Sequence, residues 1–227
     1  MPVTFQPGVA VVGGGTGALG SAVVRRLVAA GRRVVVPTRH VEDDDAPEGV
    51  TYIACDLDDP GSVERLRIAV EALGPWTALV GASGGFAGGR AHEMDDAAIA
   101  AQLAVNLLGP WRLARAAARS MIGAGSGGRI VLVASRAAVE VARGQAAYQV
   151  SKAAVLRLTQ VMAAELRGHG ITVNAVLPGT IDTQANRESM PNADRSAWVS
   201  ADSVAAVIEW LLSDGAAAVT GSAVPAG

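Results

Sequence analysis

The chain has 227 residues, and half of them are hydrophobic, which is enough to bury a core without disulfides or metal ions. Aromatic residues make up only 4%, the formal net charge is -2, and no charged block extends beyond Asp43–Asp45, so a protein that binds nucleic acid or an anionic membrane is disfavoured. The single cysteine, Cys55, excludes an internal disulfide, and the lack of a signal pattern or of a long apolar run predicts a cytoplasmic protein.

Short runs of β-branched residues alternate with longer alanine-rich stretches of helical period. The predicted strands cover residues 9–12, 33–36, 51–54, 77–80, 129–134, 171–176 and 218–224, and the second ends at Pro37. The predicted helices cover residues 21–30, 62–73, 95–121, 147–167 and 203–212, and the third is interrupted near Gly109-Pro110. Because the strands are continuous apolar runs followed by helices, we expect a parallel sheet with helices on both faces. The predicted fold class is α/β, a Rossmann-type doubly wound sheet in a single domain over residues 1–227.

A glycine-rich loop, residues 13–20, joins the first predicted strand to the first predicted helix. Glycines let a backbone turn tightly and approach a pyrophosphate, which then lies on the N–H groups at the helix N-terminus. Tight turns also use glycine for steric reasons alone, but this loop stands where a dinucleotide-binding fold needs it. The candidate cofactor-binding residues of the loop are Gly14, Thr16, Gly17, Leu19 and Gly20.

The residues after the second predicted strand bear on which nicotinamide nucleotide binds. An acidic side chain at this place would accept hydrogen bonds from an unphosphorylated ribose, but Thr38 and Arg39 stand there and no acid precedes Glu42. The guanidinium of Arg39 offers a charged, planar donor that suits a 2′-phosphate, although an arginine at a strand end can also be a solvated surface residue. The sequence therefore favours NADP(H) over NAD(H).

The predicted helix from Ala147 carries a tyrosine and a lysine four residues apart. Tyr148 and Lys152 therefore lie on one face of that helix. An ammonium beside a phenol favours the phenolate, so the tyrosine can exchange a proton with a substrate oxygen near neutral pH. A surface pair of this kind arises easily by chance, but Lys152 is the only lysine in the chain, and arginine takes every other basic position.

Two further polar residues are candidates for the same site. Ser135 ends a predicted strand, and its hydroxyl could donate a hydrogen bond to the substrate oxygen or simply form a turn. Asn106 stands within an apolar helical stretch, residues 99–113, where a buried amide needs hydrogen-bond partners. A structural clamp and an anchor for a proton-relay water are both open alternatives for Asn106.

Together these features resemble the short-chain dehydrogenase/reductase family over nearly the whole chain. The residues that carry the resemblance are Gly14–Gly20, Asp56-Leu57, Asn106, Ser135, Tyr148, Lys152 and residues 171–179. The resemblance implies a catalytic tetrad of Asn106, Ser135, Tyr148 and Lys152. It also implies that Asp56 contacts the adenine, that Lys152 holds the nicotinamide ribose, and that Ile181 and Thr183 meet the nicotinamide amide. The further cofactor contacts that it implies are Leu57, Tyr148, Pro178 and Gly179.

The chain departs from the family pattern in three places. Ala18 stands where the loop usually has its central glycine, residues 81–84 replace the usual Asn-Asn-Ala-Gly, and the chain is compact. Residues 177–194 and Trp198 resemble the dihydropteridine reductase branch of the family. That branch, however, typically has an acid after the second strand and lacks the catalytic serine.

Because Ser135 is retained, we predict an enzyme that reduces a carbonyl to an alcohol reversibly with NADPH, and Tyr148 as the general acid and base. Reduction of a quinonoid pterin is the first alternative. A nucleotide-binding regulator or scaffold without turnover is the second.

Two expectations concern the surface. Residues 180–200, with Met190, Pro191 and Trp198, are expected to form a flap over the substrate rather than a plain crossover. The helices at 97–121 and 147–167 have wide apolar faces that suit a twofold helix bundle in a homodimer or homotetramer, and these faces include Trp111, Leu113, Val155, Leu158 and Met162.

No metal is expected, since the spacing of the three histidines is not that of metal ligands; they are His40, His92 and His169.

Overall fold

Seven parallel strands form the central sheet of the computed structural model, which describes residues 4–41 and 46–227. Glu42 and Asp43–Asp45 lie outside these ranges. In chain order the strands are β1 (Val9–Gly13), β2 (Arg33–Thr38), β3 (Val50–Ala54), β4 (Trp76–Gly81), β5 (Gly128–Val133), β6 (Ile171–Pro178), the short pair β7 (Ile181–Asp182) and β8 (Val199–Ser200), and β9 (Ala223–Ala226). Their order across the main sheet is β3-β2-β1-β4-β5-β6-β9. The predicted doubly wound α/β fold class is confirmed.

Helices cover both faces of this sheet. They are α1 (Ala18–Ala29), α2 (Pro60–Leu73), α3 (Asp96–Leu103), α4 (Gly109–Ala124), α5 (Ala146–Leu166), α6 (Gln184–Ser189) and α7 (Ala201–Leu212). Apolar side chains of α2, α4 and α5 form a core on one face, and those of α1 and α7 form a core on the other. The strand order reverses between β1 and β4, and in open parallel sheets ligands bind in the crevice at that reversal, outside the carboxyl ends of the strands.

β2 continues through Pro37 to Thr38, although the sequence predicted that it ends at Pro37. Proline has no N–H to donate, and the pairing of β1 with β2 ends at Val35; the carbonyl of Val12 in β1 accepts the N–H of Gly15 at 3.1 Å instead. On the other side, the carbonyl of Thr38 accepts a hydrogen bond from the N–H of Cys55 at 2.8 Å.

The last strand covers Ala223–Ala226, so the predicted start at residue 218 is wrong. The residues before it form a loop that bonds to β6 from the side. The N–H of Gly221 donates to the carbonyl of Val173 at 2.8 Å, and the N–H of Val173 donates to the hydroxyl of Thr220 at 3.1 Å. Gly221 has a φ of +72°, which turns the chain before it enters β9.

The predicted long helix is divided into α3 and α4 by one π turn, Ala104–Leu108. A proline ring in a helix clashes with the carbonyl four residues earlier, which for Pro110 is the carbonyl of Asn106. The wider turn accommodates Pro110, and the N–H of Gly109 bonds to the carbonyl of Ala104, five residues back. The predicted interruption near Gly109-Pro110 is therefore a π turn just before the proline.

Residues 180–200 have secondary structure of their own. β7 pairs in parallel with β8, and α6 lies between them in the chain. Arg187 binds both carboxylate oxygens of Asp182, through Nε at 2.6 Å and Nη2 at 2.7 Å. The segment that was expected to be a flap is thus an ordered excursion between β6 and α7, and its closure over a substrate stays a prediction.

Candidate active site

The glycine-rich loop packs tightly against the loop that follows β4. The N–H of Ala82 donates to the carbonyl of Gly13 at 2.9 Å, and a Cβ on Gly14, whose φ is +77°, would lie 2.7 Å from the nitrogen of Ser83. A Cβ on Gly20 would overlap the carbonyl of Gly14. These glycines are therefore required by the packing of the protein itself, whether or not a ligand is bound.

The N-terminus of α1 offers free N–H groups to a ligand. α1 begins after Gly17, which has no side chain that could accept hydrogen bonds from the first turn, whereas Asp59 caps α2 by accepting two backbone N–H bonds at 2.8 and 3.0 Å. A Cβ on Gly17 would lie 3.4 Å from the nearest atom, so packing does not demand glycine there. Thr16 beside it is exposed, while Leu19 is buried against the sheet. An uncapped helix N-terminus at the reversal of strand order fits a pyrophosphate.

The predicted adenosine contacts lie at adjacent strand ends. Arg39 follows β2 and is exposed, and Asp56 follows β3 and is also exposed. One carboxylate oxygen of Asp56 accepts the N–H of Asp58 at 3.0 Å, and the carbonyl of Leu57 accepts Nη1 of Arg112 at 2.7 Å. Arg39 and Asp56 are therefore both accessible at the same edge of the sheet.

Lys152 is buried, with only 5% of its surface exposed. Its Nζ donates to the carbonyl of Val133 at 3.1 Å, and within the described ranges it forms no ion pair. Burial lowers the pKa of Lys152 to about 8. Since an amine at Nζ has more donors than this one acceptor uses, N–H groups remain for the hydroxyls of a bound ribose.

Tyr148 lies between Lys152 and an exposed aromatic ring. Nζ of Lys152 is 5.9 Å from the centroid of the tyrosine ring, and the ring of Phe86 meets it edge to face at 5.1 Å with an angle of 74° between the planes. Ser135 follows β5, two residues after the carbonyl that binds Lys152. Its hydroxyl oxygen accepts the N–H of Ala137 at 3.2 Å, which leaves the hydroxyl hydrogen free to be donated to a substrate.

Asn106 is fully buried in the π turn and holds the loop after β4. Its Oδ1 accepts the N–H of Gly85 at 2.9 Å, and its Nδ2 donates to the carbonyl of Gly85 at 2.9 Å and to Oε1 of Gln102 at 3.3 Å. The same oxygen of Gln102 accepts the N–H of Ala87 at 3.2 Å. Of the two alternatives for Asn106, the structure describes the clamp, and the clamped loop carries Phe86.

Gly84 lies directly between Asn106 and Lys152. A Cβ on Gly84 would be 2.9 Å from Oδ1 of Asn106 and 3.1 Å from Nζ of Lys152. Any side chain there would push these two groups apart. The glycine that ends residues 81–84 therefore keeps the asparagine and the lysine close to each other.

The predicted nicotinamide contacts surround the end of β6. Pro178 is buried at the last position of β6, and the N–H of Gly179 bonds to a carbonyl of β9 at 3.2 Å. Ile181 is half-buried and packs against the core beneath α1 and α7. The hydroxyl of Thr183 caps α6 by accepting a backbone N–H at 3.1 Å, and its hydrogen is free to be donated.

Three residues of this region were not among the sequence candidates. Gln102 could have been found, because it stands one helical turn before Asn106 on the same face. Phe86 and Arg136 lie in loops whose neighbours come from distant parts of the chain, so no local pattern marks them.

Among residues 4–41 and 46–227, no cluster of three histidine, cysteine or acidic side chains could hold a metal ion. None of the described helices combines the length and apolarity needed to cross a membrane.

The sequence also matches known proteins. A family model described as short chain dehydrogenase matches residues 8–194. The 3-oxoacyl-[acyl-carrier-protein] reductase MabA of Mycobacterium bovis is 32% identical over 224 residues, which cover 95% of this chain and 89% of that protein. A Mycobacterium tuberculosis protein named as an uncharacterized NAD-dependent oxidoreductase is 32% identical over 198 residues, which cover 78% of this chain and 72% of that protein.

The fold is also shared with solved structures. A short-chain type dehydrogenase/reductase from Mycobacterium ulcerans superimposes with a TM-score of 0.89 at 28% identity, and the match covers 98% of this chain and 89% of that one. None of these relatives is named as a dihydropteridine reductase. The comparisons therefore do not support the resemblance to that branch.

Proposed function

The chain belongs to the short chain dehydrogenase family and is an oxidoreductase that uses a pyridine nucleotide, and on this premise we propose that it reduces a carbonyl compound to an alcohol, reversibly, with NADPH. The observation that carries the proposal is the buried Lys152 beside Tyr148, at the same end of the sheet as the uncapped N-terminus of α1. This arrangement supports a proton donor that acts close to a bound dinucleotide.

The side chains of the site act on the carbonyl oxygen. A reduced nicotinamide nucleotide, when bound, supplies the hydride. Tyr148 gives its phenolic proton to the carbonyl oxygen, and Ser135 orients that oxygen with its free hydroxyl hydrogen. Lys152 stabilises the phenolate that Tyr148 becomes, and its remaining N–H groups hold the nicotinamide ribose.

We propose a positioning role for Asn106 beside the expected one as an anchor for a relay water. Both atoms of its amide are occupied by Gly85 and Gln102. Through these bonds Asn106 fixes the loop that carries Phe86 against the ring of Tyr148.

The test of the mechanism is the substitution Tyr148→Phe. We expect turnover to fall by about three orders of magnitude, because general acid catalysis typically contributes 10²–10⁴-fold, while the affinity for the nucleotide is kept. Tyr52→Phe is the matched control, since Tyr52 is the other tyrosine of the chain and lies on β3. An active Tyr148→Phe enzyme would refute the assignment of the proton donor.

The preference for NADPH is supported by the exposed Arg39 at the end of β2, with Thr38 beside it and no acidic side chain at either position. Fluorescence titration with NADPH and with NADH measures the preference directly. We expect tighter binding of NADPH and a shift toward NADH in Arg39→Asp. Equal affinities in the wild type would contradict the role of Arg39, and failure to bind either nucleotide would favour a scaffold without turnover.

Quinonoid pterins are the second substrate class to screen. Phe86 is 61% exposed and lies edge to face against Tyr148, so a flat heterocycle could stack on it next to the proton donor. Turnover of a pterin with no turnover of simple carbonyls would put this alternative first.

We also propose that residues 1–227 form one domain and that the protein associates with itself. Of the five apolar residues expected at the interface, only Trp111 is exposed, and the other four are buried in the core. Trp111 is joined on the surface of the π turn and of α4 by Val105 and Leu108, which are also exposed. An apolar patch on two turns of helix suits a twofold contact, which sedimentation of the wild type and of Trp111→Glu measures.

A further inference from the structure

The side chain of Arg136 packs against the start of the loop after β6. Arg136 follows Ser135 directly and is the first residue of a single 3₁₀ turn, Arg136–Ala138, at the end of β5. Its Nη1 and Cδ lie 3.5 and 3.6 Å from the position that a Cβ would take on Gly179. The guanidinium therefore lies against the residue at which β6 leads into the proposed nicotinamide loop.

Glu140 is the one ion-pair partner of Arg136 among the described residues. Nε of Arg136 and Oε1 of Glu140 are 3.1 Å apart, and the two side chains are 45% and 61% exposed. An ion pair this exposed is weakly held in water, and it uses one edge of the guanidinium only. The remaining N–H groups are available to an anion that enters the site.

A cation beside the loop after β6 favours substrates that carry a negative charge and restricts their orientation. Arginine binds a carboxylate through two parallel hydrogen bonds, which fix orientation as well as charge. An anionic group bound beside Ser135 would hold the rest of the substrate in one orientation relative to the hydroxyl and to Tyr148.

Resting on the proposed carbonyl reduction, we propose that Arg136 binds a carboxylate of the substrate and that the enzyme therefore reduces an oxo acid to a hydroxy acid. The carbonyl carbon gains a hydride from the reduced nucleotide and the carbonyl oxygen gains a proton from Tyr148, so the nucleotide is oxidised. The carboxylate is unchanged. It takes the place of Glu140 on the guanidinium, and Glu140 turns to solvent.

The experiment compares charged and neutral forms of the same substrates. The probes are 2-oxobutanoate and acetoacetate, each with its methyl ester, and the measured quantity is the ratio of kcat/KM for acid to that for ester. We expect Arg136→Gln to lower this ratio about 100-fold, because it removes a charge-assisted pair that the ester does not make. A ratio cancels any general damage to the active site, which the two substrates would share.

Two further variants make the result specific. Arg143→Gln is the matched control, since Arg143 is an exposed arginine in the same connection between β5 and α5, and it should leave the ratio unchanged. Glu140→Gln should raise the ratio, because it removes the anion that competes with the substrate. Nucleotide titration of Arg136→Gln shows whether the variant is folded and whether Arg136 acts on the cofactor instead.

The outcomes separate this proposal from the proposed function. Equal ratios in the wild type and Arg136→Gln, with both probe types turned over, would overturn the role of Arg136 and leave carbonyl reduction standing. A weaker nucleotide affinity with an unchanged ratio would assign Arg136 to the cofactor and also overturn the proposal. No turnover of any of the four probes, with nucleotide binding intact, would count against carbonyl reduction itself.

Discussion

Replacing Lys152 by methionine should stabilise the protein at neutral pH although it abolishes turnover. The ammonium is buried with a single carbonyl, that of Val133, as its described hydrogen-bond partner. Methionine has a similar length and is unbranched, so it can occupy the same channel without a charge. If Lys152 lowers the stability of the native state, the fold does not need it.

The size of the effect follows from the pKa of Lys152. Burial lowers this pKa from 10.5 to about 8, and each pKa unit corresponds to about 1.4 kcal/mol, so the buried charge costs about 3 kcal/mol at neutral pH. Methionine loses the hydrogen bond to Val133, which is worth about 1 kcal/mol. The expected net gain in the free energy of unfolding is about 2 kcal/mol at pH 7.

The pH dependence gives a sharper test, because packing changes do not vary with pH. Well below pH 8 the lysine is charged in both the native and the unfolded state, and the native state bears the full cost. Between about pH 8 and pH 10.5 the native lysine is neutral while the unfolded one is still charged, so unfolding takes up a proton and the wild type gains stability as pH rises. The advantage of the variant should therefore disappear as the pH approaches 10.5.

Urea denaturation of the wild type and Lys152→Met at pH 7, 8, 9 and 10 measures both quantities. Lys152 is the only lysine, so every other titrating group is common to the two proteins and cancels in the difference. A difference that stays constant across this range, or a variant that is less stable at pH 7, would refute the conclusion that a buried charge at Lys152 destabilises the native state.

Two other predictions follow from the hydrogen bonds of the site. Gln102→Leu removes the oxygen that accepts hydrogen bonds from Ala87 and Asn106, so it should lower kcat at least tenfold. Gln102→Glu keeps an oxygen that accepts both bonds, so it should retain more activity than Gln102→Leu. Steady-state kinetics compare the two variants, and equal losses of kcat would show that the accepted hydrogen bonds are not the cause. Arg187→Gln breaks the exposed pair with Asp182, so it should leave global stability almost unchanged but speed proteolysis between β7 and β8. A drop of several kcal/mol in denaturation would contradict the view that this segment is an independent excursion.

The sheet was predictable from the sequence because its central strands, β1, β4, β5 and β6, are buried on both faces and therefore mostly apolar. The ends of the strands were less predictable, because a strand ends where its neighbours in the sheet stop pairing with it. Pro37 remains in β2 because the pairing of β2 with β1 ends at Val35. Thr220 and Gly221 look like part of a strand but bond to β6 from a loop.

The candidate site likewise has a part that the local sequence predicts and a part that it does not predict. Tyr148 and Lys152 are marked by a spacing of four on one helix, so local sequence is sufficient to pair them. The partner of Asn106 is Gly85, 21 residues away, and the neighbour of Arg136 is Gly179, which directly follows the next strand of the sheet. Such contacts are set by the sheet order, which local periodicity does not contain.

The burial of a sole lysine has a consequence for chemical labelling. Amine-directed reagents have one side-chain target in the entire chain, and it lies where the nucleotide is proposed to bind. Because the pKa of Lys152 is about 8, a substantial fraction of this amine is uncharged and nucleophilic in mildly alkaline solution. Each molecule modified at the lysine is then a molecule modified at its proposed active site, so the extent of labelling at this side chain counts such sites directly, and a bound nucleotide protects the lysine by covering a single atom.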